Sequence, residues 1–254
     1  MKMPLPNFLI IGETKCGTTS LYDNLIQHPQ ILPSLGNGEN TLIDATVPLG
    51  VKEVRFFDKY YNKGWDWYRS CFPECPEGCL TGEASPTYFA RPTAMKRIVE
   101  VMPDVKLIVM LRNPVDRLIS HYYHICSIDK DFLDRYPSVE DFWLTARERD
   151  FYLIERGIYI KSYETCVDLV GSATLAVLSS EEFFANPNEL TRRIFNYLGV
   201  DDNFTIKPQH SRKRQTQPKK ISDSILSDMY EFYGIFNKKL GFKLNVKLGE
   251  SWNK

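Results

Sequence analysis

Short, unbroken apolar runs alternate along the chain with longer segments whose apolar residues recur every three or four positions. Residues 7–11, 105–111 and 174–178 form the runs, and such runs mark strands buried on both faces of a parallel sheet. From Thr18 onward Leu21, Leu25 and Ile26 fall on one face, which predicts a helix stopping before Pro29. A second helix is predicted over 92–102, opening near Pro92 and closing before Pro103. Asn113 reads as an N-cap and Pro114 as the first position of a helix running to about Cys126. Helical patterns follow at 138–149, 157–169 and 187–198, the last stopped by Gly199, and a final helix spans about 222–239. Strands alternating with helices predict an α/β domain, a central mainly parallel sheet flanked on both faces by helices. Ligands of such sheets sit beyond the carboxyl ends of the strands, where residues 12–20 and 112–120 fall.

Two segments lack periodicity. Residues 33–52 are rich in Gly, Asn, Pro and Thr and read as a long loop of the kind that is either functional or disordered. Residues 201–220 are polar, and from 207 on they carry Lys207, Arg212, Lys213, Arg214, Lys219 and Lys220 with no acid. Over the whole chain 32 basic and 32 acidic residues cancel, so nucleic acid or another long polyanion is not the expected partner and any anion site is local. No apolar run approaches the roughly 20 residues needed to span a bilayer, and the start of the chain lacks a signal-peptide core. A cytoplasmic protein without membrane insertion is the expectation. Cys71, Cys75 and Cys79 share a spacing of four but lack the CxxC pairs usual at zinc sites, so reduced, partly buried thiols are expected.

Gly12-Glu13-Thr14-Lys15-Cys16-Gly17-Thr18-Thr19-Ser20 follows a strand and opens a helix, a context in which backbone N–H groups and the helix dipole favour an anion. Gly12 and Gly17 have Walker A spacing, but Thr18 stands where that loop needs lysine, and the lysine lies inside the loop at Lys15. The second strand ends in Arg112 where a magnesium-binding Asp would be expected. The site therefore neutralises phosphate with cationic side chains, and no metal is expected. The fold class is a P-loop-like three-layer α/β fold, with residues 1–254 as one domain.

These segments resemble the sulfotransferases that use 3′-phosphoadenosine 5′-phosphosulfate (PAPS), in particular the heparan sulfate branch. Thr14-Lys15-Cys16-Gly17-Thr18-Thr19-Ser20-Leu21 is similar to that family's 5′-phosphosulfate loop. Leu111-Arg112-Asn113-Pro114-Val115-Asp116-Arg117 through Ser120-His121-Tyr122-Tyr123 resembles its 3′-phosphate motif. Lys52-Glu53-Val54-Arg55-Phe56-Phe57-Asp58 resembles the segment holding the catalytic glutamate, and Gly82-Glu83-Ala84-Ser85-Pro86-Thr87-Tyr88 and Leu178-Ser179-Ser180-Glu181-Glu182-Phe183 are fainter likenesses.

The resemblance implies PAPS as donor, PAP as product and a sulfuryl transfer to a hydroxyl or amine. Lys15 would stabilise charge on the bridging oxygen, and the amides of residues 16–19 (Cys16, Gly17, Thr18, Thr19) with the Thr18, Thr19 and Ser20 hydroxyls would hold the 5′-phosphate. Arg112 and Ser120 would receive the 3′-phosphate. Arg212 and Arg214 are candidates for closing over the nucleotide. Glu53 is the candidate general base, and burial beside Phe56 and Phe57 would raise its pKa. Glu83 and His121 are runners-up, Glu83 reading more naturally as a residue that orients loops.

Ala84 departs from the branch, standing where its 3-O enzymes tend to carry an acceptor-binding lysine. With the balanced charge, this turns the expectation from a glycosaminoglycan to a small-molecule, natural-product or carbohydrate acceptor, as in secondary metabolism. Residues 33–52 and Tyr60, Tyr61, Trp65, Trp67 and Tyr68 are the expected acceptor surface, plain core packing being the alternative for the aromatics. A P-loop kinase or other ATP-dependent phosphotransferase, and a non-catalytic nucleotide-binding module, are the competing readings.

Overall fold

The computed structural model describes residues 5–36, 52–149, 151–171, 174–208, 220–245 and 252. The chain divides into two compact units, Met1–Leu111 with Thr165–Arg212, and Arg112–Glu164 with Lys213–Lys254.

The first unit holds the sheet. Its strands are β1 (Phe8–Gly12), β2 (Ile31–Leu32), β3 (Leu80–Ala84), β4 (Lys106–Leu111) and β5 (Leu175–Ser179), in the order β2-β3-β1-β4-β5 with every neighbouring pair parallel. The helices of this unit are α1 (Thr18–Leu25), α2 (Gly64–Ser70), α3 (Pro92–Val101), α9 (Ser180–Ala185) and α10 (Pro187–Leu198). Phe8 and Ile10 of β1 and Ile108 and Met110 of β4 pack with Leu21, Tyr22 and Leu25 of α1 and with Leu190, Ile194 and Phe195 of α10 in one buried cluster. The intervening Leu9, Ile11, Leu107 and Val109 are also fully buried, and strand alternation turns them to the opposite face. Each such side chain contributes about 1.5–3 kcal/mol of burial free energy, which is why both-face burial shows in the sequence as an unbroken apolar run.

The three predicted strands are present within a residue of their expected ends. β2 and β3 were not predicted. β3 reads Leu-Thr-Gly-Glu-Ala, with polar groups satisfied inside the fold: Thr81 donates its hydroxyl to the Leu32 carbonyl at 3.1 Å and its N–H to Asn7 Oδ1 at 2.9 Å. Gly82 is required by close packing, because a Cβ there would lie 2.5 Å from the Phe8 carbonyl oxygen.

The second unit is helical. It contains α4 (Pro114–Cys126), α5 (Lys130–Arg135), α6 (Val139–Arg149), α7 (Phe151–Glu155), the start of α8 (Tyr159–Val170), and α11 (Asp223–Leu244). Tyr122, Phe132, Tyr136 and Phe142 pack ring against ring at 5.1–5.9 Å. Trp143 Nε1 donates to Asp228 at 2.6 Å, tying α6 to α11. That last helix outruns its predicted end at 239 and stops at Asn245, which takes the left-handed conformation (φ 53°).

Candidate active site

The loop after β1 continues the sheet for one residue and then turns away. Glu13 N–H donates to the Met110 carbonyl at 2.7 Å, and Cys16 N–H donates back to the Glu13 carbonyl at 3.1 Å. Lys15 (φ 71°) and Gly17 (φ 87°) are both left-handed. For lysine this backbone costs about 1–2 kcal/mol, which the surrounding structure must offset. The loop is held from outside: the Ser180 hydroxyl donates to the Cys16 carbonyl at 2.6 Å, and Phe89 N–H donates to the Ile11 carbonyl at 2.8 Å.

The start of α1 differs from those of α4, α5 and α9, and shares with α3 the lack of a side-chain cap and of a first-turn acid. Asn113, Asp129 and Ser179 each cap their helix by accepting backbone N–H groups, whereas Gly17 offers α1 no side-chain cap and the first turn carries no acid. The intrahelical ladder begins with Leu21 N–H to the Gly17 carbonyl at 3.0 Å, which leaves the amides of Thr18, Thr19 and Ser20 ahead of it. Thr18 and Ser20 are buried, and Lys15 and Thr19 are half-buried. An amide-rich turn with a lysine inside it fits a phosphate or phosphosulfate group. The Cys16 amide, expected to serve the ligand, is already engaged in the loop's own turn.

The second region follows the end of β3. β1 and β3 are neighbours with Ile10 opposite Ala84, so the segment bonded to the end of β3 starts beside the strand that feeds the phosphate loop. Ala84 N–H donates to the Lys52 carbonyl at 2.8 Å, Val54 N–H to Glu83 Oε2 at 3.1 Å and Arg55 N–H to Ser85 Oγ at 3.0 Å. Lys52 Nζ pairs with Glu53 Oε1 at 2.7 Å and reaches the Ala84 carbonyl at 3.4 Å. Glu53 is not buried as expected; its side chain is 34% exposed. Val54 is fully buried, whereas its neighbours Glu53 and Arg55 are half-buried. Phe56 and Phe57 do turn inward, into a π-helical turn over Phe56–Tyr60.

Glu83 lies completely buried beneath this segment. Tyr68 OH donates to its Oε1 at 2.9 Å, Tyr88 OH at 3.2 Å, and the Ser85 hydroxyl makes a short bond to Oε2. Burial pushes its carboxyl up to about 7, against the opposing pull of the hydrogen bonds from Ser85, Tyr68, Tyr88 and the Val54 amide. Burial and then the charge of Glu83 raise Tyr68 and Tyr88 well above the ordinary tyrosine value. Asp58, also fully buried at its side chain, receives Arg55 Nη2 at 2.7 Å and lies 3.5 Å from Arg91 Nε.

Ser85, Tyr88, Lys52 and Asp58 were not singled out from sequence as members of a site, and Tyr68 was expected on the acceptor surface. The signal available was the run Glu83-Ala84-Ser85-Pro86-Thr87-Tyr88, in which Ser85 and Tyr88, two and five positions on, converge on the Glu83 carboxylate. Of the expected acceptor aromatics, Tyr68 belongs to this buried network and Tyr60 is 9% exposed, while Tyr61, Trp65 and Trp67 are half-buried. Arg97 stacks over Tyr61 at 4.0 Å, and Lys63 lies 4.6 Å from the Trp67 ring centre.

In the second unit Arg112 is half-buried and its carbonyl accepts from Tyr159 OH at 2.8 Å. Asn113 Oδ1 caps α4 by accepting Val115 N–H at 2.9 Å, and Ser120 is half-buried on that helix. His121 is nearly buried, with Nδ1 3.0 Å from the guanidinium of the fully buried Arg117. Arg212 and Arg214, and most of the 33–52 loop, lie outside the described residues. All six cysteines are free, and burial raises the Cys71 thiol to about 12. No helix among the described residues is long and apolar enough to cross a membrane.

A model of the sulfotransferase domain matches residues 5–242. Mouse heparan sulfate glucosamine 3-O-sulfotransferase 3A1 is 30% identical over 264 residues, covering 92% of this chain and 62% of that protein. The chain thus spans less than two thirds of this relative. Bifunctional heparan sulfate N-deacetylase/N-sulfotransferase 1 of Caenorhabditis elegans is 38% identical over 125 residues, covering 49% of this chain and 13% of that protein. Among solved structures, a sulfotransferase from Alicyclobacillus acidocaldarius matches with a TM-score of 0.77 and 26% identity over 99% of this chain and all of that one.

Proposed function

The chain belongs to the sulfotransferase domain family, and from that premise we propose that it moves a sulfuryl group from PAPS to a hydroxyl or amine of a small-molecule, natural-product or carbohydrate acceptor, residues 1–254 acting as one sulfotransferase domain. The observation that carries the proposal is the start of α1, where an uncapped, acid-free first turn meets a lysine-bearing loop. Those amides, with the Thr18, Thr19 and Ser20 hydroxyls, hold the 5′-phosphate. Arg112 and Ser120 receive the 3′-phosphate, with Arg212 and Arg214 closing over the nucleotide.

When bound, the donor supplies a sulfuryl group attached to a phosphate leaving group. Transfer breaks that S–O bond, forms a bond from sulfur to the acceptor oxygen or nitrogen, and releases PAP with the electron pair. Lys15 faces the charge that grows on the departing oxygen, the kind of contact worth about 2.7–4 kcal/mol in transition-state stabilisation. Glu53 takes the acceptor proton, and its partial exposure lets it reach a group arriving from solvent. Cationic side chains fill the role that an Asp-bound magnesium has in a phosphotransferase. Balanced charge and Ala84 favour a compact acceptor over a long polyanion, and the setting we propose is cytoplasmic secondary metabolism.

Calorimetric titration with PAP, and separately with ATP and magnesium at matched salt, tests this. Binding of PAP that collapses in Arg112→Ala, with little ATP binding, is the expected result. Equal binding of both nucleotides, insensitive to Arg112, would replace the sulfotransferase reading with a phosphotransferase one.

A further inference from the structure

The turn over Phe56–Tyr60 has no cap of its own. Its N-cap residue, Arg55, is left-handed (φ 57°) and makes no side-chain cap bond, and the ladder starts only with Lys59 and Tyr60 N–H donating to the Arg55 carbonyl at 3.0 and 3.1 Å. Three amides ahead of that ladder are nevertheless satisfied by residues about 30 positions away. Val54 N–H donates directly to Glu83. Arg55 N–H donates to Ser85 Oγ, so the Ser85 hydroxyl has its own proton to give, and it gives it to Glu83. Phe57 N–H points at Tyr88 OH at 3.4 Å, and Tyr88 in turn donates to Glu83. One buried carboxylate therefore ends three hydrogen-bond chains, each beginning on the backbone beside Glu53.

We propose that Glu83 is the positioning residue of the reaction: a remote cap that fixes the backbone of residues 54–57 and, through it, the place of the Glu53 carboxylate. The inference rests on Glu53 being the proton acceptor. Charge supports it. A carboxylate can accept all of these donors at once, whereas a side-chain amide must present hydrogens of its own to one side of the network. The titratable groups around Glu83 are Tyr68 on α2, Tyr88, Cys71, Tyr22 on α1, and the Lys52–Glu53 pair at the Ala84 carbonyl; of these only Tyr68 and Tyr88 bond to the carboxylate. Tyr68 leaves the amides alone and steadies the acceptor from the other side.

Residue-resolved amide exchange by NMR tests the chains one by one. Ser85→Ala should speed exchange of the Arg55 amide about tenfold and leave Val54 protected, Tyr88→Phe should do the same for Phe57, and Glu83→Gln should release Val54, Arg55 and Phe57 together. In protein labelled with 13C at glutamate carboxyls, the Glu53 resonance, assigned through Glu53→Gln, should move in Glu83→Gln, a change that loss of general stability would not give. Protection of these amides unchanged in Glu83→Gln, or release spread equally over β1 and β4 in Ser85→Ala, overturns the proposal; should Glu83→Gln not fold, the two single-chain variants still decide it. PAP titration of the same proteins separates the two readings. Failure of the wild type to bind PAP removes the sulfotransferase reading, and a Glu83→Gln protein that binds PAP normally but has lost amide protection supports the positioning role alone.

Discussion

The phosphate loop and the Lys52–Asp58 segment lie at the ends of neighbouring strands, yet they are held by different means. The loop is placed mostly by backbone: Glu13 extends the β1–β4 ladder, Cys16 closes its own turn, and glycine supplies the conformation at residue 17, with the Ser180 hydroxyl on the Cys16 carbonyl as its side-chain tie. The segment takes one bond from strand backbone, that between Ala84 and Lys52, and is tied further by side chains of β3, of the residues after it and of Arg97 on α3. The first kind of site depends chiefly on the strand staying in register. The second fails when one buried group changes.

The largest expected effect separates chemistry from scaffold in the loop. Lys15→Ala should lower transfer from labelled PAPS to a screened phenol or sugar acceptor by about 100- to 1,000-fold in a variant that stays folded. A large drop in melting temperature would mean that the lysine holds the loop and does not act on the leaving group.

On the other side of the comparison stands the pH dependence of Glu83. Its carboxyl is raised by burial from 4.5 to about 7 in the folded protein, so between those values the folded state binds more protons than the unfolded one. Its contribution to stability is therefore complete below about pH 4.5 and is lost as pH rises through about 7, a fall on the order of 3 kcal/mol. Guanidinium unfolding of the wild type and Glu83→Gln at about pH 5 and about pH 8 should show the difference between the two proteins shifting by that amount towards the variant. No shift would place the Glu83 ionisation outside this window.

Gly12→Ala should cost about 1–3 kcal/mol, because the new Cβ would lie 2.5 Å from Phe89 Cβ, an atom that cannot swing away. Thermal denaturation measures it, and a neutral result would show that the backbone-built loop tolerates more than its contacts allow. The smallest effect is that of Tyr68→Phe, about 1 kcal/mol by the same measurement. It removes one donor to Glu83 at 2.9 Å while keeping the ring stacked 4.5 Å from Phe56. A loss several times larger would make Tyr68 a principal support of the carboxylate.

The contrast also explains what could be read from sequence. Phe8–Gly12 and Lys106–Leu111 showed as apolar runs because each is buried on both faces, the edge strand Leu175–Ser179 showed by its apolar residues although much of it is only partly buried, and the Asn113-Pro114 start of α4 showed because capping is local. The α1 loop was legible for the same reason. β3 was not, since Thr81, Gly82 and Glu83 break the apolar signal and their partners Leu32, Phe8 and Val54 lie far off in sequence. α2 was hidden by aromatics that looked like a binding surface, and α9 by a Ser179-Ser180-Glu181-Glu182 run read only as a family likeness although Ser179 caps it. Glu53 was found through resemblance; its exposure could not be, because it depends on the packing of the fold.

Chains of donors that end on one acceptor also govern how the protein can change over generations. Losing the hydroxyl of Ser85 or Tyr88 strands a backbone amide and, while Glu83 is present, also takes a donor from its carboxylate; once Glu83 is gone, that second cost disappears. These positions are therefore strongly epistatic. A lineage can keep them as a set or discard them as a set, and intermediates that hold half of it are the ones selection removes.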